Sequence, residues 1–189
     1  MSKSKMRESA NQIRIIGGEW RGRKLSFPDA EGLRPTADRV RETVFNWLAG
    51  HVAGARCLDM FAGSGALGFE ALSRGANYCC FVEQNSAVLK QIQTNCRLLG
   101  ATVRSEVLLA DASKPLQATG AFDIVFLDPP FKGSELKACL HWLATSPILK
   151  RDALIYIETA KNTPWQGGSL DIIKEKYAGD VCFRLTQLR

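Results

Sequence analysis

Cys57-Leu58-Asp59-Met60-Phe61-Ala62-Gly63-Ser64-Gly65-Ala66-Leu67-Gly68 is the stretch that decides the fold. Its first five residues read as a short buried strand interrupted only by Asp59. A glycine-rich turn follows, and a helical pattern runs from Ala66 to Ser73. Glycine between a strand and a helix lets backbone approach a ligand closely, because no Cβ intervenes. Outward from this unit, the run Tyr78-Cys79-Cys80-Phe81-Val82 ends in Glu83, where a carboxylate can take both hydroxyls of a ribose. Strands are predicted near 56–61, 77–82, 103–109, 123–127 and 153–158, with helices near 66–74, 85–99 and 134–145. That order predicts an α/β fold with a mostly parallel sheet covered on both faces. Leu170 to Tyr177 and Val181 to Leu188 read as a closing hairpin.

Gly63, Gly65 and Gly68 also match the dinucleotide spacing G-x-G-x-x-G, which alone would admit a nicotinamide enzyme. Two features oppose that. Asp59, just before the glycines, would repel a pyrophosphate but could hold an ammonium group directly or through water. Downstream, the apolar run Ile124-Val125-Phe126-Leu127 ends in Asp128-Pro129-Pro130-Phe131, which has no part in hydride transfer. Prolines fix φ and offer no N–H, so this exit is stiff and presents acceptors only. Asp128 and the Pro129 carbonyl can accept both hydrogens of an amine on a flat ring, while Phe131 stacks on that ring. A nucleoside carrying an amino acid in place of a diphosphate fits both features, and S-adenosyl-L-methionine is that molecule.

Asp59-Met60-Phe61-Ala62-Gly63-Ser64-Gly65, Glu83, Asp111 and Asp128-Pro129-Pro130-Phe131 resemble the ordered motifs of class I methyltransferases acting on exocyclic amines. The N-terminal part narrows this. Ile16-Gly17-Gly18-Glu19-Trp20-Arg21-Gly22-Arg23-Lys24-Leu25, Leu33-Arg34-Pro35-Thr36 and the block from Asp38 to Leu48 are similar to the bacterial 16S rRNA guanine-N2 methyltransferases of the guanine-966 type. The resemblance runs from about Ile13 to the C-terminal strand. It implies a Rossmann-like, seven-stranded sheet with one reversed strand, and 16S rRNA or the assembled small subunit as partner. For the cofactor it implies Phe61, Ala62, Gly63, Ser64 and Gly65 around the methionine portion, helped by Asp59. Glu83 would take the ribose, Asp111 the adenine amino group, and the Ala112 N–H a ring nitrogen. A helix cap is the competing reading for both Asp111 and Glu83.

Net charge is +6, and residues 1–41 carry ten Lys or Arg against five Asp or Glu. Almost all of the excess therefore lies in the N-terminal fifth. Residues 1–12 are expected as a loose tail, 13–33 as a basic β-hairpin extension, and 34–189 as the catalytic domain. Arg14, Arg21, Arg23 and Lys24 alternate with apolar residues as in a basic ribbon with Trp20 as an exposed aromatic, a surface that would neutralise phosphates. The resemblance adds Arg34, Thr36 and Arg39 at the pocket mouth. Thr36 can also cap a helix running to about Leu48.

Six cysteines without C-x-x-C spacing predict buried thiols in a cytoplasmic protein, with no metal site. No apolar run is long enough to span a membrane. Nothing in the sequence demands more than a monomer. Four rival functions stay open: an amine methyltransferase acting on DNA adenine-N6 or cytosine-N4, one acting on protein glutamine, an inactive RNA-binding module, and a nicotinamide dehydrogenase.

Overall fold

The structure is a computed structural model that describes residues 11–30, 33, 36–117, 120–130, 134–165 and 167–189. Alternation within the strands sorts side chains onto two faces, as period-2 geometry requires. Cys57, Cys79, Phe81, Ile124, Phe126 and Tyr156 point into one apolar cluster. Leu58, Cys80, Val82, Val125, Leu127 and Ile157 point into a second on the opposite face.

The strands concerned are β3 (Arg56–Asp59), β4 (Tyr78–Glu83), β5 (Ser105–Leu109), β6 (Phe122–Leu127) and β7 (Leu149–Ala160). With β8 (Leu170–Ala178) and β9 (Val181–Leu188) they form a seven-stranded sheet in the order β5-β4-β3-β6-β7-β9-β8. β9 is antiparallel to both β7 and β8 and is the one reversed strand. The first cluster is shared with α1 (Asp38–Trp47), α2 (Ala66–Ser73) and α3 (Ser86–Leu98), the second with α4 (Glu135–Leu143). All six cysteines are buried free thiols. No described helix is long and apolar enough to cross a membrane.

The N-terminal ribbon pairs β1 (Asn11–Arg14) with β2 (Lys24–Phe27), starting two residues before the expected hairpin. Ile13, Ile15, Trp20, Leu25 and Phe27 belong to the first apolar cluster, so the ribbon shares the main core. It is fastened to α2. Glu70, wholly buried, accepts the Ile16 and Gly17 N–H groups at 2.8 Å each and pairs with Arg74 at 2.7 Å. Ser73 accepts the Trp20 N–H at 2.9 Å and donates to the Gly17 carbonyl at 2.6 Å.

Trp20 departs from the expectation of an exposed aromatic. It is 4% exposed, with the Arg104 guanidinium 5.2 Å from its ring. An indole that fills the junction between ribbon and domain leaves no face for nucleic acid. Thr36 departs too, since α1 is capped at Ala37 without a side-chain bond and the Thr36 hydroxyl turns to Asp128 instead.

Gly18 sits at φ +76°, and a Cβ there would lie 1.8 Å from the Ser73 carbonyl oxygen. Gly18→Ala is therefore expected to cost more than about 2 kcal/mol of stability, because strain and a backbone clash coincide. Urea denaturation of the two proteins checks this.

Candidate active site

Five neighbouring strands carry a carboxylate at or just beyond their carboxyl ends. In sheet order these are Asp111 after β5, Glu83 on β4, Asp59 on β3, Asp128 after β6 and Glu158 on β7. The carboxyl edge of an open α/β sheet is where ligands collect, here on either side of the β3–β6 pair. A row of carboxyl groups offers acceptors to a ligand bearing sulfonium and ammonium charge.

The glycine turn is built for close packing. Gly63 and Gly65 have φ of +49° and +76°. A Cβ on Gly65 would meet the Phe69 ring at 2.5 Å, and one on Gly68 the Phe81 ring at 2.2 Å. Gly68 thus lets α2 lie directly on β4, whereas a Cβ on Gly63 would make ordinary contact with Leu33 at 3.7 Å. Ala62 and Ser64 are buried and Phe61 is partly exposed. Asp59 is 2% exposed and accepts the Gly68 N–H at 3.0 Å. Burial pushes its carboxyl up to about 7. Its bond to the first turn of α2 makes Asp59 a support of the glycine turn.

Glu83 accepts the Gly63 N–H at 3.0 Å and the Asn85 N–H at 2.7 Å, one on each oxygen. A carboxylate oxygen has two acceptor positions, so both remain able to take a hydroxyl. Asn85, and not Glu83, caps α3. Asp111 is drawn into its own turn, accepting the Ser113 N–H at 3.0 Å and hydroxyl at 2.6 Å. The Ser113 hydroxyl is the main cause holding its carboxyl below the usual range. No helix begins there, so the capping reading survives only as a turn cap. The buried Ala112 presents its carbonyl to the Trp142 indole N–H at 3.1 Å, which docks α4.

At the neighbouring corner the Thr36 hydroxyl donates to Asp128 at 3.2 Å. Burial, then the charge of Glu158, pushes the Asp128 carboxyl well above the carboxylate range. Pro129 is buried and Pro130 exposed. Beside them opens a cavity of about 220 Å³ lined by Leu136, Glu158, Thr159 and Trp165 among others. Phe131 and Arg34 lie outside the described residues.

The sequence reading missed Glu158 and Trp165. Glu158 was legible only as an acid late in a predicted strand, and Trp165 as the aromatic of the Pro164-Trp165 loop. Arg41 was missed as well. It is 1% exposed and donates to the Arg14 and Thr36 carbonyls and to Asp38, so it holds the segment leading to Asp128.

Arg14, Arg21, Arg23, Lys24 and Arg39 are all exposed. Arg21 and Arg23 flank the ribbon turn, which meets α2 at Ser73, while the glycine turn meets it at Ala66. An eight-residue helix separates the two, about 12 Å of rise.

Sheet order, glycine turn and acid row together define a class I methyltransferase, with S-adenosyl-L-methionine as its cofactor. The same fold, at 20% identity and a TM-score of 0.71, occurs in a T. thermophilus 16S rRNA N2 G1207 methyltransferase in complex with AdoMet and guanosine, covering 95% of this chain and 50% of that one. A methyltransferase structure from Escherichia coli, yhhF, superposes with a TM-score of 0.85 at 46% identity, covering 95% of this chain and 99% of its own. The Ribosomal RNA small subunit methyltransferase D of Escherichia coli is 46% identical over 181 residues, 94% of this chain and 91% of that protein. The chain belongs to the family described as Conserved hypothetical protein 95, which matches residues 13–187.

Asp59 gives the ligand-free protein a pH signature. Its folded pKa of about 7 lies above the ordinary 3.8. Its ionisation therefore opposes folding increasingly from about pH 4 to pH 7, by roughly 4 kcal/mol in all. Asp59→Asn should flatten that fall, as read from urea midpoints of both proteins between pH 5 and 8.

Proposed function

We propose that this methyltransferase acts on the exocyclic N2 amine of a guanine, of the guanine-966 type, in 16S rRNA of the small ribosomal subunit. The observation that carries the reading is the Asp128-Pro129 corner. It stands at the exit of β6, hydrogen-bonded along β3, whose own exit is the glycine turn. An acceptor-rich notch and a cationic-ligand crevice are thus adjacent. The relatives' small-subunit rRNA names and the basic ribbon supply the substrate class.

The chain would hold the cofactor through Phe61, Ala62, Gly63, Ser64 and Gly65 around the methionine portion, with Asp59 supporting that turn from beneath. Glu83 would take the ribose hydroxyls, and Asp111 with the Ala112 N–H the adenine edge. Bound S-adenosyl-L-methionine supplies an already activated methyl group. The protein's task is then alignment. Guanine's N2 lone pair is delocalised into the ring and is a weak nucleophile. Asp128 and the Pro129 carbonyl would accept both N–H bonds, turn the lone pair out of conjugation and favour the positive charge that develops on nitrogen. Pro130 holds this backbone stiff, and Phe131 would stack on a base taken out of its helix. Trp165, which lines the cavity beside Pro129 and Pro130, offers a further apolar surface.

Arg14, Arg21, Arg23, Lys24, Arg34 and Arg39 would hold the RNA backbone, and Thr36 would orient Asp128. Labelled cofactor offered to small-subunit particles, naked 16S rRNA and DNA tests the assignment. Label on a guanine N2 in the rRNA is expected, and label in DNA adenine or cytosine would replace this reading with its rival.

Asp128→Ala is expected to lower turnover at least a hundredfold with cofactor affinity unchanged, as followed by single-turnover methyl transfer and calorimetric titration. Replacing Arg21, Arg23 and Lys24 with Gln should weaken RNA binding and reduce the slope of log K against log salt by about two. Filter binding from 50 to 300 mM salt (roughly the range where such slopes are read) measures it.

A further inference from the structure

Asp128 is one half of a pair. Leu127 on β6 is in register with Ile157 on β7, so Glu158 follows on its strand where Asp128 follows on its own. The alternation that puts Phe126 and Tyr156 on one face of the sheet puts both carboxylates there as well. The Thr36 hydroxyl serves both, bonding Asp128 at 3.2 Å and also reaching Glu158.

Glu158 is 4% exposed, and the Tyr156 hydroxyl donates to its Oε1 at 2.6 Å, which fixes the orientation of the carboxyl. The partners it has among the described residues are hydroxyls, with no ion pair among them. Yet it lines the cavity beside Pro129 and Pro130. A buried carboxylate is costly unless donors meet it. Burial raises both carboxyls of the pair, which favours a proton there, and donors arriving with a ligand shift it back toward the ionised form.

We infer that Glu158 reads the N1–H of the same guanine whose N2 amine Asp128 holds, and so selects guanine over other amine-bearing bases. The inference rests on the reading given above that the methyl acceptor is a guanine. Guanine's Watson–Crick edge sets N1–H directly beside N2–H₂, two donor groups in a row. Adenine and cytosine set a ring nitrogen acceptor beside their amine. Against Asp128 and Glu158 side by side, guanine pairs at both positions. The other two bases oppose a lone pair to Glu158, which must then keep its proton to pair, so they forgo the charge-assisted bond that guanine makes.

The test uses small-subunit particles whose rRNA carries, at the methylated position, either guanine or 2-aminopurine. The latter keeps the 2-amine but has an acceptor at N1. The wild-type chain is expected to prefer guanine by at least about a hundredfold in kcat/KM. Glu158→Gln presents an amide N–H to that position and should bring the preference below about tenfold. Its affinity for S-adenosyl-L-methionine, measured by calorimetry, should hold, which separates loss of base reading from loss of fold. Glu158→Asp, which withdraws the acceptor while keeping its charge, should narrow the preference too and serves if the Gln variant does not fold. An unchanged guanine preference in a variant that still methylates overturns the inference alone. A wild-type chain that transfers nothing to guanine overturns the functional reading and the inference with it.

Discussion

Glu70 is the constraint on which the rest of the molecule depends. Its carboxylate has no contact with solvent, accepts two ribbon N–H groups, and lies 2.7 Å from Arg74 and 3.5 Å from Arg41. A buried charge is tolerable only when donors satisfy it on every side. Removing this one would strand two backbone donors and leave two guanidinium groups without their shared counter-charge. Because Glu70 lies on α2, the same short helix carries the ribbon on its flank and the glycine turn at its start. Arg41 extends the linkage to Thr36, and so to Asp128. The basic surface, the glycine turn and the Asp128 corner are therefore parts of one hydrogen-bonded frame.

What the sequence made legible was local. Strand, glycine turn and helix announce themselves within a dozen residues, because period, φ requirements and apolar content are all near-neighbour properties. The closing hairpin and most helix bounds followed for the same reason. Long-range partners stayed hidden. Nothing near Thr36 says that its hydroxyl leaves the helix start to meet a carboxylate 92 residues on. Trp20 looked exposed because it sits among arginines and glycines, and only the approach of α2 shows that its ring fills a junction. Glu158 was invisible as half of a pair because pairing depends on which strand becomes the neighbour of β6, which is a matter of topology.

Charge is divided between two surfaces in a way that composition alone does not show. The carboxyl edge of the sheet is a row of acids, yet the chain as a whole is basic. Most of the excess positive charge lies in residues 1–41, the ribbon among them. A polyanion would be drawn by the ribbon. Each charged partner thus meets the surface of opposite sign, and the two do not compete for one place.

The length of α2 has a consequence for the size of what can be recognised. With arginines at one end of that rod and the reacting corner beyond the other, a lone nucleoside can occupy only one of the two stations. An RNA whose fold spans the gap engages both. On the proposed reading the helix would act as a ruler, and selection of the target would fall to the shape of the surrounding RNA as much as to the base that enters the notch.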